Sequence, residues 1–179
     1  MHREGLHRIA VNEGRIAVVQ AEGGTSTAEF SRERFDTVID AEGLLLLPPY
    51  VESHIHLESV LTAGEPRWNR SGTLFEGFQI WAERQALLTP EDVRKRAMEA
   101  LRWLASQGVL HVRTHADICD PKLTALTSLL QLKEDVRSWI HIQIVAFPQQ
   151  GICSYPKGSG TWTICSKAES RRLCQAPIT

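Results

Sequence analysis

His54-Ile55-His56 places two imidazoles two residues apart where the apolar run GLLLLPPYVES gives way to a loop. On a β-strand, residues two apart share a face, so both rings can reach one cation from a strand end. Seven histidines in 179 residues make an HxH triplet common by chance, and the spacing alone is weak. Two further segments end in residues of similar capacity. VLHVRTHAD ends in His115 and Asp117, and IHIQIVAFPQQG reaches Gln149. His115 and Asp117 are read as satisfied structural partners, because buried polar side chains usually pair within the fold.

The surrounding pattern says what must position these groups. RIAVNEGRIAVV (8–19) reads as two short strands about an Asn-Glu-Gly turn, and FDTVIDAEG as a second extended piece. A long loop follows the histidine strand. TPEDVRKRAMEALRWLASQG then predicts a helix, with Thr89 as N-cap, Pro90 at the first position and Gly108 as the stop. Its apolar stripe is Val93, Ala97, Leu101 and Leu104. DPKLTALTSLLQLKEDVRSW repeats the formula, with Asp120 as cap and Leu123, Leu126, Leu130 and Lys133 along one face. Strand, loop, helix, strand, helix, strand implies βαβ units and a parallel α/β sheet. In such sheets, chemistry gathers at the C-terminal strand ends. All three polar groups lie at such ends.

Composition excludes other classes. Charged content of 23% and a net charge of −1 leave no basic footprint for nucleic acid or a membrane surface. No apolar run approaches the ~20 residues of a membrane span, and MHREGLHR is no signal peptide. Cys119, Cys153, Cys165 and Cys174 show no CxxC spacing, which argues against a thiolate zinc site. Reduced thiols in a cytoplasmic protein are the preferred reading.

Four longer stretches, PPYVESHIHLES, TAGEPRWNRSGTLFEGFQIWAERQALLTPEDV, QGVLHVRTHADICD and IQIVAFPQQGICSYP, together resemble bacterial cytosine deaminase of the amidohydrolase superfamily. The likeness runs from about Glu4 to Pro156. It implies a (β/α)8 TIM-type barrel, present here as its first three strands, preceded by part of a small β-sandwich. The implied domains are a partial sandwich over 1–47, the first part of the barrel over 48–156, and an unrelated tail over 157–179. The resemblance further implies one divalent metal, iron or zinc, held partly by His54 and His56, with the pyrimidine bound through Gln149 and Leu74 nearby. The chemistry suits these types. A divalent metal lowers the pKa of water enough to supply hydroxide at neutral pH, and neutral imidazoles hold it without cancelling its charge. A primary amide both donates and accepts, as a pyrimidine edge requires. Hydrolytic deamination of cytosine to uracil and ammonia is the implied reaction. Deaminases that pair H-x-E with P-C-x-x-C are excluded, since no P-C-x-x-C occurs.

The resemblance supplies no proton-transfer residues in this chain, because the family's glutamate and histidine for that role lie beyond the third strand. The expectation is an inactive fragment whose parent is a homo-oligomer acting on a cytosine-like small molecule. KGSGTWTICSKAESRRLCQAPIT has neither helical nor strand period and is expected to be disordered. One choice of codons, read two bases later, turns part of it into an acidic leucine-bearing helix, which suggests a frameshift near Lys157. The alternatives are a sister amidohydrolase acting on a triazine or creatinine-like ring, and a non-functional pseudogene product.

Overall fold

The computed structural model describes residues 5–23, 35–41 and 43–151. Two compact units divide the chain, residues 1–47 and 48–179.

In the first unit, β1 (His7–Asn12) and β2 (Arg15–Ala21) form an antiparallel pair, from His7 opposite Ala21 to Asn12 opposite Arg15. Glu13 and Gly14 make the two-residue connection, both at positive φ (50° and 73°). That geometry matches the right-handed twist of the strands, and glycine adopts it without strain. The expected extended piece at 35–43 joins no sheet among its described residues. Leu44 N instead donates to Ala41 O at 2.7 Å, so a local turn takes the bond a ladder would use.

The second unit is a parallel three-stranded sheet with helices between its strands. Its elements are β3 (Tyr50–Ile55), α1 (Leu74–Gln85), α2 (Pro90–Ser106), β4 (Val109–Asp117), α3 (Thr124–Val136) and β5 (His141–Phe147), in strand order β3-β4-β5. Alternation on the strands separates two faces. Val112, Thr114 and Ala116 of β4 and Ile142, Ile144 and Ala146 of β5 are buried. These strands' apolar residues join Val93, Ala97 and Leu101 of α2 and Leu129, Leu132 and Val136 of α3 in one core. His111, Arg113 and His115 carry the opposite parity, and Arg113 Nε donates to Gln143 Oε1 at 2.7 Å. This less buried face carries the polar groups.

Local signals placed α2 as expected. Thr89 Oγ1 accepts from Asp92 N at 3.1 Å, Pro90 opens the helix and Gly108, at φ +83°, follows it. Two expectations need correction. The long loop after β3 contains α1, capped by Thr73, whose hydroxyl accepts from Glu76 N at 3.3 Å. Aromatic residues and Gly77 blur its period, and among its described residues only Arg84 is buried. The third helix starts at Thr124, not Pro121. Leu123 adopts a left-handed conformation (φ 52°), and the Asp120 carboxylate accepts from Lys122 N and Thr124 N, both at 2.9 Å. Asp120 therefore forms its own turn, which competes with helix at the next residues. The later start moves the buried stripe to Ala125, Leu126, Leu129, Leu132 and Val136, away from Leu130 and Lys133. The tail at 157–179, with Cys153, Cys165 and Cys174, lies outside the described residues. No described helix is long and apolar enough to cross a membrane.

Candidate active site

The histidine strand is irregular where the histidines stand. Glu52 pairs with Val112 and Ile55 with Thr114, so β3 spends one more residue than β4 over this stretch. Such a bulge re-aims side chains. Beyond it Ile55 is matched to Thr114 on the core face, which turns His54 and His56 toward the face of His115. The His54 and His56 ring centres lie 5.4 Å apart, and His54 stacks on His115 at 4.0 Å with planes 20° apart.

The chain then turns sharply. Leu57 is fully buried and its N donates to buried Thr114 Oγ1 at 3.0 Å. Glu58 is thereby carried inside, 1% exposed, where Oε1 meets His56 Nδ1 at 3.1 Å. That bond raises the His56 pKa above its ordinary 6.5 against the opposing effect of burial. Burial first, and then the neighbouring His54 and His56, lower that of His115. Asp117 meets the expectation of a satisfied partner, accepting from Trp81 Nε1 (2.8 Å), Gln85 Nε2 (2.9 Å) and Cys119 N (2.8 Å). His115 does not, for its Nδ1 is buried without a hydrogen-bond partner among the described residues. Cys119 Sγ accepts from Gln150 N at 3.4 Å, and burial pushes its thiol up to about 12, which makes it a poor nucleophile.

A cavity of about 600 Å³ opens beside this cluster, lined by His56, Glu58, Leu74, Phe78, Trp81 and Gln149 among others. That is ample for a single heterocycle. Of the four residues singled out in the sequence, His56, Leu74 and Gln149 share its wall. His54 lies outside the lining, joined to it through His56 and His115. Gln149 follows β5 by two residues, its N donating to Phe147 O at 3.1 Å. Leu74 opens α1 and is 68% exposed. Sequence reasoning missed Glu58 and Trp81. Glu58 continued the every-second-residue run of His54 and His56, a signal that was available. Trp81 lay in the unrecognised helix.

The donors fit a divalent cation in part. Two imidazoles bound through nitrogen at ~2.1 Å with a tetrahedral angle have ring centres about 5 Å apart, close to the spacing of His54 and His56. His115 Nδ1 and Glu58 Oε2 beside them are buried and unpartnered among the described residues, and burial penalises such atoms unless something pairs with them. Among the described residues, no three His, Cys, Asp or Glu side chains form a complete metal-holding group.

The sequence profile of the amidohydrolase family matches residues 37–170. The chain belongs to that family. This amidohydrolase is similar to the 5-methylcytosine deaminase of Klebsiella pneumoniae, solved with phosphonocytosine and with 5-fluorocytosine. In both structures the identity is 47% and the TM-score 0.81, covering 93% of this chain and 39% of the other. It is 30% identical over 118 residues to the N-isopropylammelide isopropyl amidohydrolase of Pseudomonas sp. (strain ADP), covering 63% of this chain and 29% of that protein. The N-isopropylammelide isopropylaminohydrolase of Burkholderia multivorans ATCC 17616 shares the fold at 23% identity and a TM-score of 0.65, covering 90% of this chain and 39% of the other. The chain thus spans well under half the length of each of these relatives.

Proposed function

We propose that these residues form the first metal-binding and ring-binding wall of a hydrolase acting on C–N bonds, one that converts cytosine or a close analogue and water to the uracil-type product and ammonia. The observation that carries the reading is the meeting of His56, Leu74 and Gln149 on one heterocycle-sized cavity. The 47% identity to a 5-methylcytosine deaminase supports it. In this reading β3, β4 and β5 are the first three strands of a (β/α)8 barrel over 48–156. Residues 1–47 belong to a small β-sandwich, and 157–179 are an unrelated segment. The family profile runs to residue 170, so sequencing the encoding DNA in all frames past codon 157 tests that last boundary.

His54 and His56 would hold one iron or zinc ion, which when bound supplies an activated water at neutral pH. His54 is steadied by its stack on His115, and His56 by Glu58. Gln149 presents an amide to the ring nitrogen and carbonyl, while Leu74 and Phe78 give the cavity an apolar wall. The 179-residue chain by itself turns nothing over, because two histidines leave a metal underligated and no proton-transfer group is assigned. The active protein is a cytoplasmic homo-oligomer. A second reading, a triazine-type substrate, is favoured by the 30% identity to the Pseudomonas isopropylammelide hydrolase.

Metal uptake by the 179-residue chain tests the site, with loss expected in His54→Ala and His56→Ala. Equal uptake by wild type and both variants would end the metal assignment. In a protein carrying the whole barrel, amine release from cytosine, 5-methylcytosine and N-isopropylammelide separates the two substrates. Release from N-isopropylammelide alone would overturn the pyrimidine reading.

A further inference from the structure

Glu58 is costly where it stands. It is 1% exposed, and among the described residues Oε2 has no hydrogen-bond partner. A carboxylate buried with one oxygen unpaired is disfavoured unless its charge serves something. What it touches is specific. Oε1 accepts from the backbone N of Asp117 at 3.2 Å and faces His56 Nδ1 at 3.1 Å, so one oxygen ties the exit of β3 to the last residue of β4. The His56 backbone is held as well, its carbonyl accepting from Ser59 N at 3.0 Å and Val60 N at 3.1 Å. Donating Nδ1–H to Glu58 would leave the lone pair of His56 on Nε2, while the His115 backbone is a further hydrogen-bond partner of the same ring.

We propose that Glu58 is the positioning residue of His56, holding its ring in the Nδ1–H form so that Nε2 is presented to a divalent cation. This deepens the metal reading above and rests on it. A carboxylate behind a ligating imidazole fixes its tautomer and orientation and raises its basicity, and losing such a partner typically costs 10–100-fold in metal affinity. Among the described residues His54 has no such partner. Its ring stacks on His115, and the only Glu52 contact is to its backbone N at 2.9 Å. The two histidines are therefore unequal, with His56 the better prepared donor.

The test uses the 179-residue chain in two measurements. Histidine ¹⁵N spectra without metal read the tautomer of His56, and zinc competition against a chromophoric chelator reads affinity. Wild type should show His56 with hydrogen on Nδ1, and Glu58→Leu should lose that preference. Glu58→Gln keeps an oxygen for Asp117 N, so it should fold while binding zinc 10–100-fold more weakly. In a His56→Ala background the same Glu58→Gln change should have no effect on zinc. Leu129→Ala, which opens the core under α3 and touches neither histidine nor Glu58, controls for general loosening and should leave the affinity of the folded chain unchanged. The proposal is overturned if His56 in Glu58→Leu, or in Glu58→Gln should the leucine variant not fold, gives wild-type ¹⁵N signals while zinc affinity stays level. It is also overturned if Glu58→Gln weakens zinc equally with and without His56. Should His56→Ala alone leave zinc binding unchanged, the metal reading has failed, and the tautomer measurement still decides whether Glu58 holds the ring.

Discussion

Replacing Asp117 should loosen the helix that walls the cavity. Its carboxylate is 1% exposed and accepts from Trp81 and Gln85, both on α1, through Oδ2, and from Cys119 N through Oδ1. Asparagine can turn one oxygen to one side only. If it serves Cys119 N, its amino group faces two donors, and two hydrogen bonds to a charged acceptor are lost. Such bonds contribute about 1.5–3 kcal/mol each, but Trp81 and Gln85 are half-buried and water recovers part, so Asp117→Asn should cost about 2–4 kcal/mol. Asp117→Ala also strands the Cys119 amide, which adds about 1–3 kcal/mol. Elsewhere α1 is held by surface ion pairs, Arg67 with Glu76 at 2.7 Å and with Glu83 at 3.1 Å. Among its described residues only Arg84 is buried, bonded through Nη2 to Asp92 Oδ2 at 2.7 Å. Urea titration followed by Trp81 fluorescence, in a background with the other tryptophans replaced, gives the cost. Hydrogen exchange over 74–85 shows where it falls. An Asp117→Asn variant within about 0.5 kcal/mol of wild type, with unchanged exchange in α1, would refute the reasoning.

Three further outcomes are expected. Leu129→Ala, at a core position 1% exposed, should cost about 2–5 kcal/mol in urea unfolding, and a cost under about 1 would mean the α3 face is misplaced. Glu76 accepts from Ser71 Oγ and N, both at 2.6 Å, which lowers its pKa from 4.5 to about 2. A folded pKa below the unfolded one stabilises above the unfolded value and is lost as pH falls through the folded one. The contact should therefore persist below pH 4 and open near 2 in an NMR titration, and a Glu76 midpoint near 4.5 would contradict it. In a protein carrying the whole barrel, Gln149→Ala should weaken cytosine binding by about 1–3 kcal/mol with metal content unchanged. Lost metal would reassign Gln149 to the ion, and unchanged kinetics would return it to structure.

Local chemistry decided much of this molecule. Thr89, Pro90 and Gly108 mark α2 through capping and backbone preference, which act within a few residues, and the structure ends that helix where they say. The alternation of β4 and β5 reports burial on one face, so their strands were legible, as was the closeness of His54 and His56. Other features depend on residues far apart in the chain and left no local trace. α1 is held by Arg84 and by the bonds of Trp81 and Gln85 to Asp117, more than 30 positions away, and not by an apolar stripe of its own. The bulge that aims both histidines at His115 comes from unequal spacing against β4, which no single strand reveals. Glu58 looked like an ordinary acid after a strand. Its burial follows from Leu57, whose amide is tied to Thr114 across the sheet, and only that tertiary contact brings its carboxylate to His56.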